Sequence, residues 1–374
     1  MSTGAPPPMP RTPDPGDVVA ATSAYEAWLG EYLSLIPEDL ERKHAAMASG
    51  LFPFLRATFY LWIQRWPRVC PELARAPRVR AVGDLHVENF GTWRDREGRL
   101  IWGVNDFDEA WRLPYTNDLL RLATSLLAAD EEHDLEIARA PAINALLQGY
   151  RDGLAAGGRP FVLAEHHQAL VEMAADRLHE PKAFWRKLTG LPTVAGRVPV
   201  EARRAIRGAL PPGTTDIRLV HRTSGLGSLG RERFVGIGEC QGGLVAREVK
   251  ALGPSAAARD AGHARRRTWL AYRDTVRHAV RCPDPSLRIL RHWIVRRLAP
   301  DCCRLELAAL LRKRDERELL YAMGWETANV HLGSERAGKL AVDLAGRPKA
   351  WLYRAAHKLC DVIRADWEAW RAHA

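Results

Sequence analysis

The pattern of apolar and polar positions predicts a mostly helical first half of the chain and a strand-rich segment after residue 213. Apolar residues recur at helical spacing over 18–37, 40–66, 117–130, 135–155 and 161–178. A short strand is predicted at 78–82 and a hairpin at 91–104, whose polar turn contains Gly98. Asp39 is expected to cap the second helix.

The rest of the pattern combines short strands with longer helices. The predicted elements are strands at 216–222, 232–237, 243–249 and 287–298, and helices at 255–280, 305–331 and 348–373. Helices, then a small sheet, then helices again predict an α+β fold in two lobes.

These segments also suggest how the chain is divided. A stretch rich in proline and glycine, 191–213, gives the clearest boundary. We predict a disordered proline-rich tail at 1–17, a helical catalytic lobe at 18–190, a linker at 191–213, a β-rich lobe at 214–300 and, at 301–374, C-terminal helices that pack on the helical lobe.

Composition and charge narrow the function classes. The 374 residues are 47% hydrophobic and 27% charged, which is typical of a globular protein. The first residues lack the basic start and apolar run of a signal peptide. The most apolar window, 51–63, is too short to span a bilayer and is interrupted by Arg56. We therefore expect a cytoplasmic protein without a membrane partner, whose six cysteines are reduced.

Candidate chemistry begins with an acidic loop directly after the first predicted strand. Residues 84–89 read Asp-Leu-His-Val-Glu-Asn, and Asp106-Phe107-Asp108 follows the hairpin. In a phosphoryl-transfer site, one carboxylate orients a hydroxyl nucleophile while an amide oxygen and a second carboxylate hold a metal. Asp and Asn also favour turns, which explains each residue alone. The whole constellation favours phosphoryl transfer.

This region resembles the aminoglycoside and choline phosphotransferases and, more distantly, the protein kinases. The resemblance implies that Asp84 is the catalytic base and that Asn89 and Asp106 bind Mg²⁺. It also implies that Asp118, at the start of the next helix, braces the catalytic loop from below; an N-cap role for Asp118 is compatible with that. Two neighbouring residues have open roles. Asp108 is either a further metal ligand or polar filler, and His86 either holds the loop in shape or contacts phosphate.

The stretch 44–127 is more similar still to a bacterial family of uncharacterised proteins, domain of unknown function 2252. The shared features are the Met-Ala-x-x-x-Phe-x-Phe-Leu-Arg run at 47–56, the Gly-Asp-x-His-x-x-Asn-Phe-Gly loop and Asn-Asp-Phe-Asp-Glu at 105–109. This resemblance implies no particular substrate.

A glycine motif, Gly225-Leu226-Gly227-Ser228-Leu229-Gly230, supplies a second candidate site. A dinucleotide fingerprint would lie between a strand and a helix, whereas two further strands follow here and the second ends at Lys250. This is the layout of the kinase hairpin that covers the phosphates of ATP, with the lysine pairing the α- and β-phosphates. Only 8 of the 55 basic residues are lysines, so a lysine at this position is informative.

The two halves of the predicted site stand in reversed order, and circular permutation reconciles them. We therefore expect a two-lobed, permuted protein-kinase-like fold in which Asp106 and Lys250 face one nucleotide. Kinases pair this lysine with a glutamate on the next helix, but no glutamate occurs between Lys250 and Glu306. Asp260 and Asp274 are the acids available there, and Asp260 is better placed.

The sequence thus predicts an ATP- and Mg²⁺-dependent phosphotransferase that acts on a hydroxyl of an unidentified substrate. One alternative is a nucleotide-binding regulator without catalysis. Another is a nucleic-acid-binding protein, because residues 261–300 contain ten arginines against Asp274 and Asp284. A solvated helix face also accounts for these arginines, so nucleic acid is the less favoured partner.

Overall fold

The computed structural model describes residues 17–133, 135–163, 167, 170–172, 181–194, 196, 198–259, 264–303 and 313–373. The tail expected at the start, residues 1–16, lies outside these residues. At its end, Asp17 caps the first helix, because its carboxylate accepts a hydrogen bond of 2.8 Å from the amide of Ala20.

Helices make up most of the described chain. They are α1 (Val18–Gly30), α2 (Pro37–Ser49), α3 (Leu51–Ala57), α4 (Phe59–Val69), α5 (Tyr115–His133), α6 (Arg139–Ala155), α7 (Pro181–Thr189), α8 (Val200–Ala209), α9 (Ala264–His278), α10 (Lys313–Leu332), α11 (Ala337–Ala345) and α12 (Trp351–His373).

The strands form antiparallel sheets. They are β1 (Arg78–Ala81), β2 (Phe90–Arg94), β3 (Leu100–Val104), β4 (Trp111–Pro114), β5 (Phe161–Val162), β6 (Thr215–His221), β7 (Arg233–Cys240), β8 (Gly243–Ala251), β9 (Arg288–Ile289) and β10 (Trp293–Leu298). Within the described residues, β1 pairs with β4, β3 lies between β2 and β5, and a larger sheet has the order β6-β7-β8-β10-β9. Together with the helices, these sheets confirm an α+β fold.

The prediction of one long helix over 40–66 is wrong, because the chain forms three helices there, α2, α3 and α4. Gly50 takes an extended conformation between the first two. Thr58 separates the next two, and its buried hydroxyl donates to the carbonyl of Phe54 at 2.7 Å. Asp39 is not the cap of α2 either, since Pro37 takes the first helical position after Ile36.

Two other segments differ from their expected type. Residues 161–162, expected to be helical, form β5 and pair with β3, where Val162 lies opposite Ile101. An aromatic and a β-branched residue suit a strand once a partner strand is present. The strand expected at 287–298 is two strands, β9 and β10, which pair as a hairpin. The hairpin expected at 91–104 is confirmed as β2 and β3, and Gly98 in its turn has φ of 77°.

The small lobe, which consists of the larger sheet with α7 and α8, has its own apolar core. Helix α8 packs Ala202 and Ile206 against Val249 and Trp293 on one face of the sheet. Residues 191–213, expected to be a linker, therefore contain a helix that belongs to this core. Helix α7 packs on the opposite face, where Leu188 meets residues of β6 and β7.

The large lobe holds the main core, which α4, α5, α6, α10 and α12 surround. The C-terminal helix α12 packs against α2 and α5. A buried ion pair joins α12 to α4, with Arg65 Nε 3.0 Å from Asp366 Oδ2. Among the described residues, no helix combines the length and apolar character that crossing a membrane requires. All six cysteines lie in the described part of the chain, and none of them forms a disulfide bond.

Helix α10 supports the β2–β3 hairpin through a buried carboxyl group. Glu326 accepts a hydrogen bond of 3.2 Å from the amide of Val104, at the end of β3, and one of 2.8 Å from Asn329. Burial raises the pKa of Glu326 to about 7, although Arg281 and these hydrogen bonds oppose the increase. The last residue of β3 is therefore held by an acid that resists ionisation.

We expect Glu326 to make the protein less stable as pH rises. Between the pKa of an unfolded glutamate, 4.5, and its folded value of about 7, the folded state binds the extra proton. The free energy of unfolding therefore falls as pH rises through this interval, by up to about 3 kcal/mol. Between pH 5 and pH 8, the free energy of unfolding measured with urea should fall less in Glu326→Gln than in wild type. Glu368→Gln, an exposed control on α12, should behave as wild type, and an equal effect of both variants would contradict the assignment.

Candidate functional site

Asp118, in the first turn of α5, holds the backbone directly before the 84–89 loop. The Asp118 carboxylate accepts hydrogen bonds from the amides of Val82 at 2.6 Å and Gly83 at 3.0 Å. Gly83 has φ of 86°, and a Cβ there would lie 2.2 Å from the carbonyl oxygen of Glu109. A side chain at this position would push the loop away from the segment that carries Asp106, so glycine is required.

A buried histidine, which the sequence did not indicate as part of the site, completes this support. His331 Nε2 lies 3.1 Å from Asp118 Oδ2, and its Nδ1 lies 2.9 Å from the hydroxyl of Tyr150. A neutral imidazole satisfies both bonds, with Nε2–H donating to the carboxylate and Nδ1 accepting from the hydroxyl. His331 is 213 residues from Asp118, so no local pattern could reveal the pair.

Asp84 faces the cleft between the lobes and has a cationic partner behind it. Arg121, which is fully buried on α5, donates to Asp84 Oδ1 from Nη2 at 2.6 Å and from Nε at 3.0 Å. Burial raises the pKa of Asp84, and the charge and hydrogen bonds of Arg121 only partly offset that effect. The carboxylate is therefore oriented by a fixed guanidinium while it keeps more basicity than the ion pair alone would allow.

Two further residues of the 84–89 loop, His86 and Asn89, are held by hydrogen bonds within the loop. The Asn89 amide nitrogen donates to the carbonyl of Asp84 at 2.5 Å, which leaves its Oδ1 as the atom that would hold a metal. His86 Nδ1 accepts from the amide of Glu88 at 3.2 Å, so its ring shapes the loop. Both side chains line the cleft.

The structure brings Asp106, Asp108 and Lys250 together, although they lie on opposite lobes. Lys250 Nζ is 2.7 Å from Asp108 Oδ2 and 3.3 Å from Asp106 Oδ2. The lysine side chain is 3% exposed, whereas that of Asp106 is 30% exposed. Desolvation would raise the pKa of Asp106, but Lys250 and Arg296 outweigh it and hold that pKa well below its usual range. Asp106 is therefore ionised and open to the cleft.

The acid partner expected for Lys250 on the following helix does not account for these contacts. Asp260 lies outside the described residues. Asp274 is on α9, where it pairs with the neighbouring Arg273 at 3.1 Å and is more than a third exposed. The partners that the structure gives Lys250 are the two carboxylates of the 106–108 segment.

The glycine loop, residues 225–230, covers Asp84. A Cβ at Gly227 would lie 2.9 Å from the carbonyl oxygen of Arg56 and 3.4 Å from Asp84 Oδ2, so only glycine allows this approach. Ser228 lies in a short 3-10 turn and accepts a hydrogen bond of 2.7 Å from Arg233. The carbonyl of Gly230 accepts from the amide of Ile36 at 2.8 Å. Gly225 also lines the cleft, so the loop is closed onto the large lobe.

A charged group beside the loop was not foreseen from the sequence. Glu248 lies two residues before Lys250, hence on the same face of β8, and pairs with Arg222 at 2.5 Å and Arg233 at 3.1 Å. Burial opposes ionisation, but these arginines lower the pKa of Glu248 to about 2. The Glu-x-Lys spacing on a strand was the available signal.

The floor of the cleft is polar and tightly filled. Arg231 lies 3.2 Å from Glu109 Oε1 and 3.5 Å from both Asp108 Oδ2 and the hydroxyl of Tyr25. Burial raises the pKa of Glu109 to about 7, against the opposing charge of Arg231. The free volume between the lining residues is about 50 Å³. That is room for one or two water molecules, far below the 300 Å³ or more of a typical small-molecule site.

The donor set suits a hard cation only in part. Asp106, Asp108 and the Asn89 amide offer the oxygen ligands that Mg²⁺ prefers, and Mg²⁺ is commonly held by one or two carboxylates together with substrate phosphates. Within the described residues, no three Asp, Glu, His or Cys side chains form a ready metal cage. Oxygens from a bound phosphate would therefore have to complete the coordination.

Several arginines in the basic stretch at 261–300 have partners inside the protein. Arg281 donates to the carbonyl of Val104 and lies over Trp93. Arg296 donates to Tyr272, and Arg297 pairs with Asp301. Arg288 donates to the carbonyl of Gly208. The charge of this stretch is thus used partly in contacts within the protein.

Comparison with known proteins finds one bacterial family model that matches part of the chain. Residues 35–186 match the model of the family described as "Uncharacterized protein conserved in bacteria" (DUF2252). Over this part of the chain, the match supports the family resemblance predicted from the stretch 44–127. It includes Asp106 and Asp118 but ends before the glycine loop and Lys250. No curated protein and no solved structure matches the chain.

We expect Asp118→Ala to destabilise the fold strongly, because it leaves two buried amides and His331 without their acceptor. The loss in free energy of unfolding should be about 3 kcal/mol or more, measured by chemical denaturation. Asp130→Ala is the matched control on the same helix. Asp130 pairs with the partly exposed Arg139, so its loss should cost less than about 1 kcal/mol. Equal losses in the two variants would contradict the bracing role.

Proposed function

We propose that the protein is an ATP- and Mg²⁺-dependent phosphotransferase that transfers a phosphoryl group to a hydroxyl of a substrate still to be identified. The observation that carries this proposal is the meeting of two distant motifs. Lys250 lies 3.3 Å from Asp106, 144 residues away, while Gly227 closes over Asp84. Acid, amide, lysine and glycine loop are the parts that such a reaction uses.

Each residue has a role that its surroundings support. Asp84 accepts the proton of the substrate hydroxyl, and Arg121 fixes the orientation of its carboxylate. Asn89 and Asp106 would hold Mg²⁺, with Asp108 as a further ligand, and the metal would supply charge neutralisation at the phosphates. Lys250 aligns the phosphates, and the backbone amides of the glycine loop cover them.

The order of the glycine loop and Lys250 along the strands also supports a proposal for the fold. In protein kinases a glycine-rich loop is followed by a lysine on the third strand of the small lobe. Here the glycine loop joins β6 to β7 and Lys250 lies on β8. Because the 84–89 loop precedes this sheet in the chain, we propose a two-lobed kinase-like fold with circularly permuted motif order.

Nucleotide binding requires the glycine loop to move. The closed cleft leaves about 50 Å³, which is too little for a nucleotide. The amides of Ser228 and Leu229 are used within the loop's own turn, as donors to the carbonyls of Gly225 and Leu226. An opened loop would free both the space and these donors for phosphate oxygens.

The test is phosphate transfer from γ-labelled ATP to a panel of sugars, aminoglycosides, choline and protein hydroxyls. We expect Asp84→Asn to lower transfer by roughly 10²- to 10⁴-fold, the usual contribution of a general base, while ATP still binds. Asp274→Asn, at a partly exposed acid on α9, should leave transfer unchanged. Transfer that persists undiminished in Asp84→Asn would refute the assignment of the base.

Binding is measured separately by titration with ATP and Mg²⁺. Lys250→Ala and Asp106→Ala should each weaken binding, since the first removes the phosphate-pairing ammonium and the second a metal ligand. Wild-type protein that does not bind ATP would refute the proposal as a whole.

A nucleotide-binding regulator without catalysis is the second candidate. It is favoured by the contact of Lys250 with Asp106 and Asp108 in place of an acid on the following helix. The two candidates differ in turnover. Tight ATP binding without transfer or hydrolysis, over the whole panel, would select the regulator.

A further inference from the structure

The Lys250 ammonium lies where a cation bound by Asp106 and Asp108 would lie. It contacts Asp108 Oδ2 at 2.7 Å and Asp106 Oδ2 at 3.3 Å, so it bridges the two carboxylates. Asp108 lines the cleft, its side chain is more than nine-tenths buried, and its buried Oδ1 has no hydrogen-bond partner within the described residues. A buried carboxylate oxygen without a donor is costly and provides a ligand position for a cation.

We propose that Lys250 competes with the divalent cation for Asp106 and Asp108, so that it acts as an internal substitute for the metal until the cation binds. This inference deepens the proposed function and rests on it for the identity of the phosphate ligand. On metal binding, Lys250 leaves the carboxylates and turns to the phosphates. No bond is made or broken in this exchange, which transfers one ion pair to another.

Electrostatics supports such an exchange. Two carboxylates this close to one ammonium repel each other strongly unless a cation lies between them. The other cations nearby are further from these oxygens, with Arg231 at 3.5 Å from Asp108 Oδ2 and Arg296 at 3.9 Å from Asp106 Oδ1. A divalent ion added to this group while Lys250 stays in place would face three positive charges. The ammonium must therefore move for the metal to bind tightly.

The inference separates Lys250 from an ordinary phosphate-binding lysine. If Lys250 only bound phosphate, its loss would weaken nucleotide binding and leave the affinity for metal alone unchanged. If it only stabilised the fold, its loss would lower stability and would not increase metal affinity. Competition predicts opposite effects, with tighter metal binding and weaker nucleotide binding in one variant.

The experiment titrates the full chain with Mn²⁺, without nucleotide, and measures free Mn²⁺ by electron paramagnetic resonance. Mn²⁺ is a suitable probe because it accepts the same carboxylate and amide oxygens as Mg²⁺. Lys250→Met should bind Mn²⁺ about tenfold more tightly than wild type, or better, since a unit positive charge beside the site is removed. Asp106→Asn should weaken binding.

Lys43→Met is the matched control. Lys43 is also buried and also pairs with an acid, Glu26 at 3.8 Å, but it lies on α2 under the aromatic rings of Tyr25 and Tyr60. Its loss should leave Mn²⁺ affinity unchanged. Thermal melting of both variants checks that they are folded.

A second measurement uses the wild-type protein and does not depend on the folding of a variant. Acetylation of lysines by acetic anhydride, followed by mass spectrometry, should show Lys250 protected without metal and several-fold more reactive with Mn²⁺. Lys43 serves as the internal reference, and its reactivity should not change.

Unchanged or weaker Mn²⁺ binding in folded Lys250→Met overturns the proposal. So does Lys250 reactivity that stays constant while Mn²⁺ binds. Failure of the proposed function has a different signature, because ATP would then not bind to wild type while the competition between Lys250 and Mn²⁺ could still be observed.

Discussion

The ion pairs between Lys250 and the carboxylates of Asp106 and Asp108 connect the two lobes at the centre of the candidate site. Removing the charges of Lys250 and Asp108 from water costs several kcal/mol for each ion, and only close contacts with further hydrogen bonds offset that cost. Because the lysine side chain is only 3% exposed, its burial is stable only in contact with these acids. This mutual constraint fixes how β8 of the small lobe meets the segment after the β2–β3 hairpin.

Buried polar groups behind the cleft maintain that geometry. Asp118, His331 and Tyr150 form a chain of hydrogen bonds under the 84–89 loop, while Glu326 holds the end of β3. These groups lie on α5, α6 and α10, so the loop and the hairpin are positioned by the same helices. Because a buried polar group without a partner is expensive, this network permits few alternative arrangements.

The closed glycine loop and the small free volume describe a resting arrangement in which internal charges satisfy one another. Lys250 neutralises Asp106 and Asp108, Arg121 holds Asp84, and Glu248 is held by Arg222 and Arg233. A polyanion and a divalent cation would enter as a pair of compensating charges. Ligand binding under the proposed function is thus an exchange of ion pairs that accompanies the opening of the glycine loop.

The sequence by itself determined the α+β composition, the hairpin at 91–104 and the residue types of the candidate site, since periodicity and motif spacing are local properties. It did not determine the breaks at Gly50 and Thr58, the strand at 161–162 or the core helix at 200–209, where packing outweighs propensity. Tertiary structure alone decided the partners: Arg121 for Asp84, His331 for Asp118, and Asp106 with Asp108 for Lys250. Their separations along the chain run from 37 to 213 residues. Burial makes such contacts obligatory, but only the folded chain determines which residues make them.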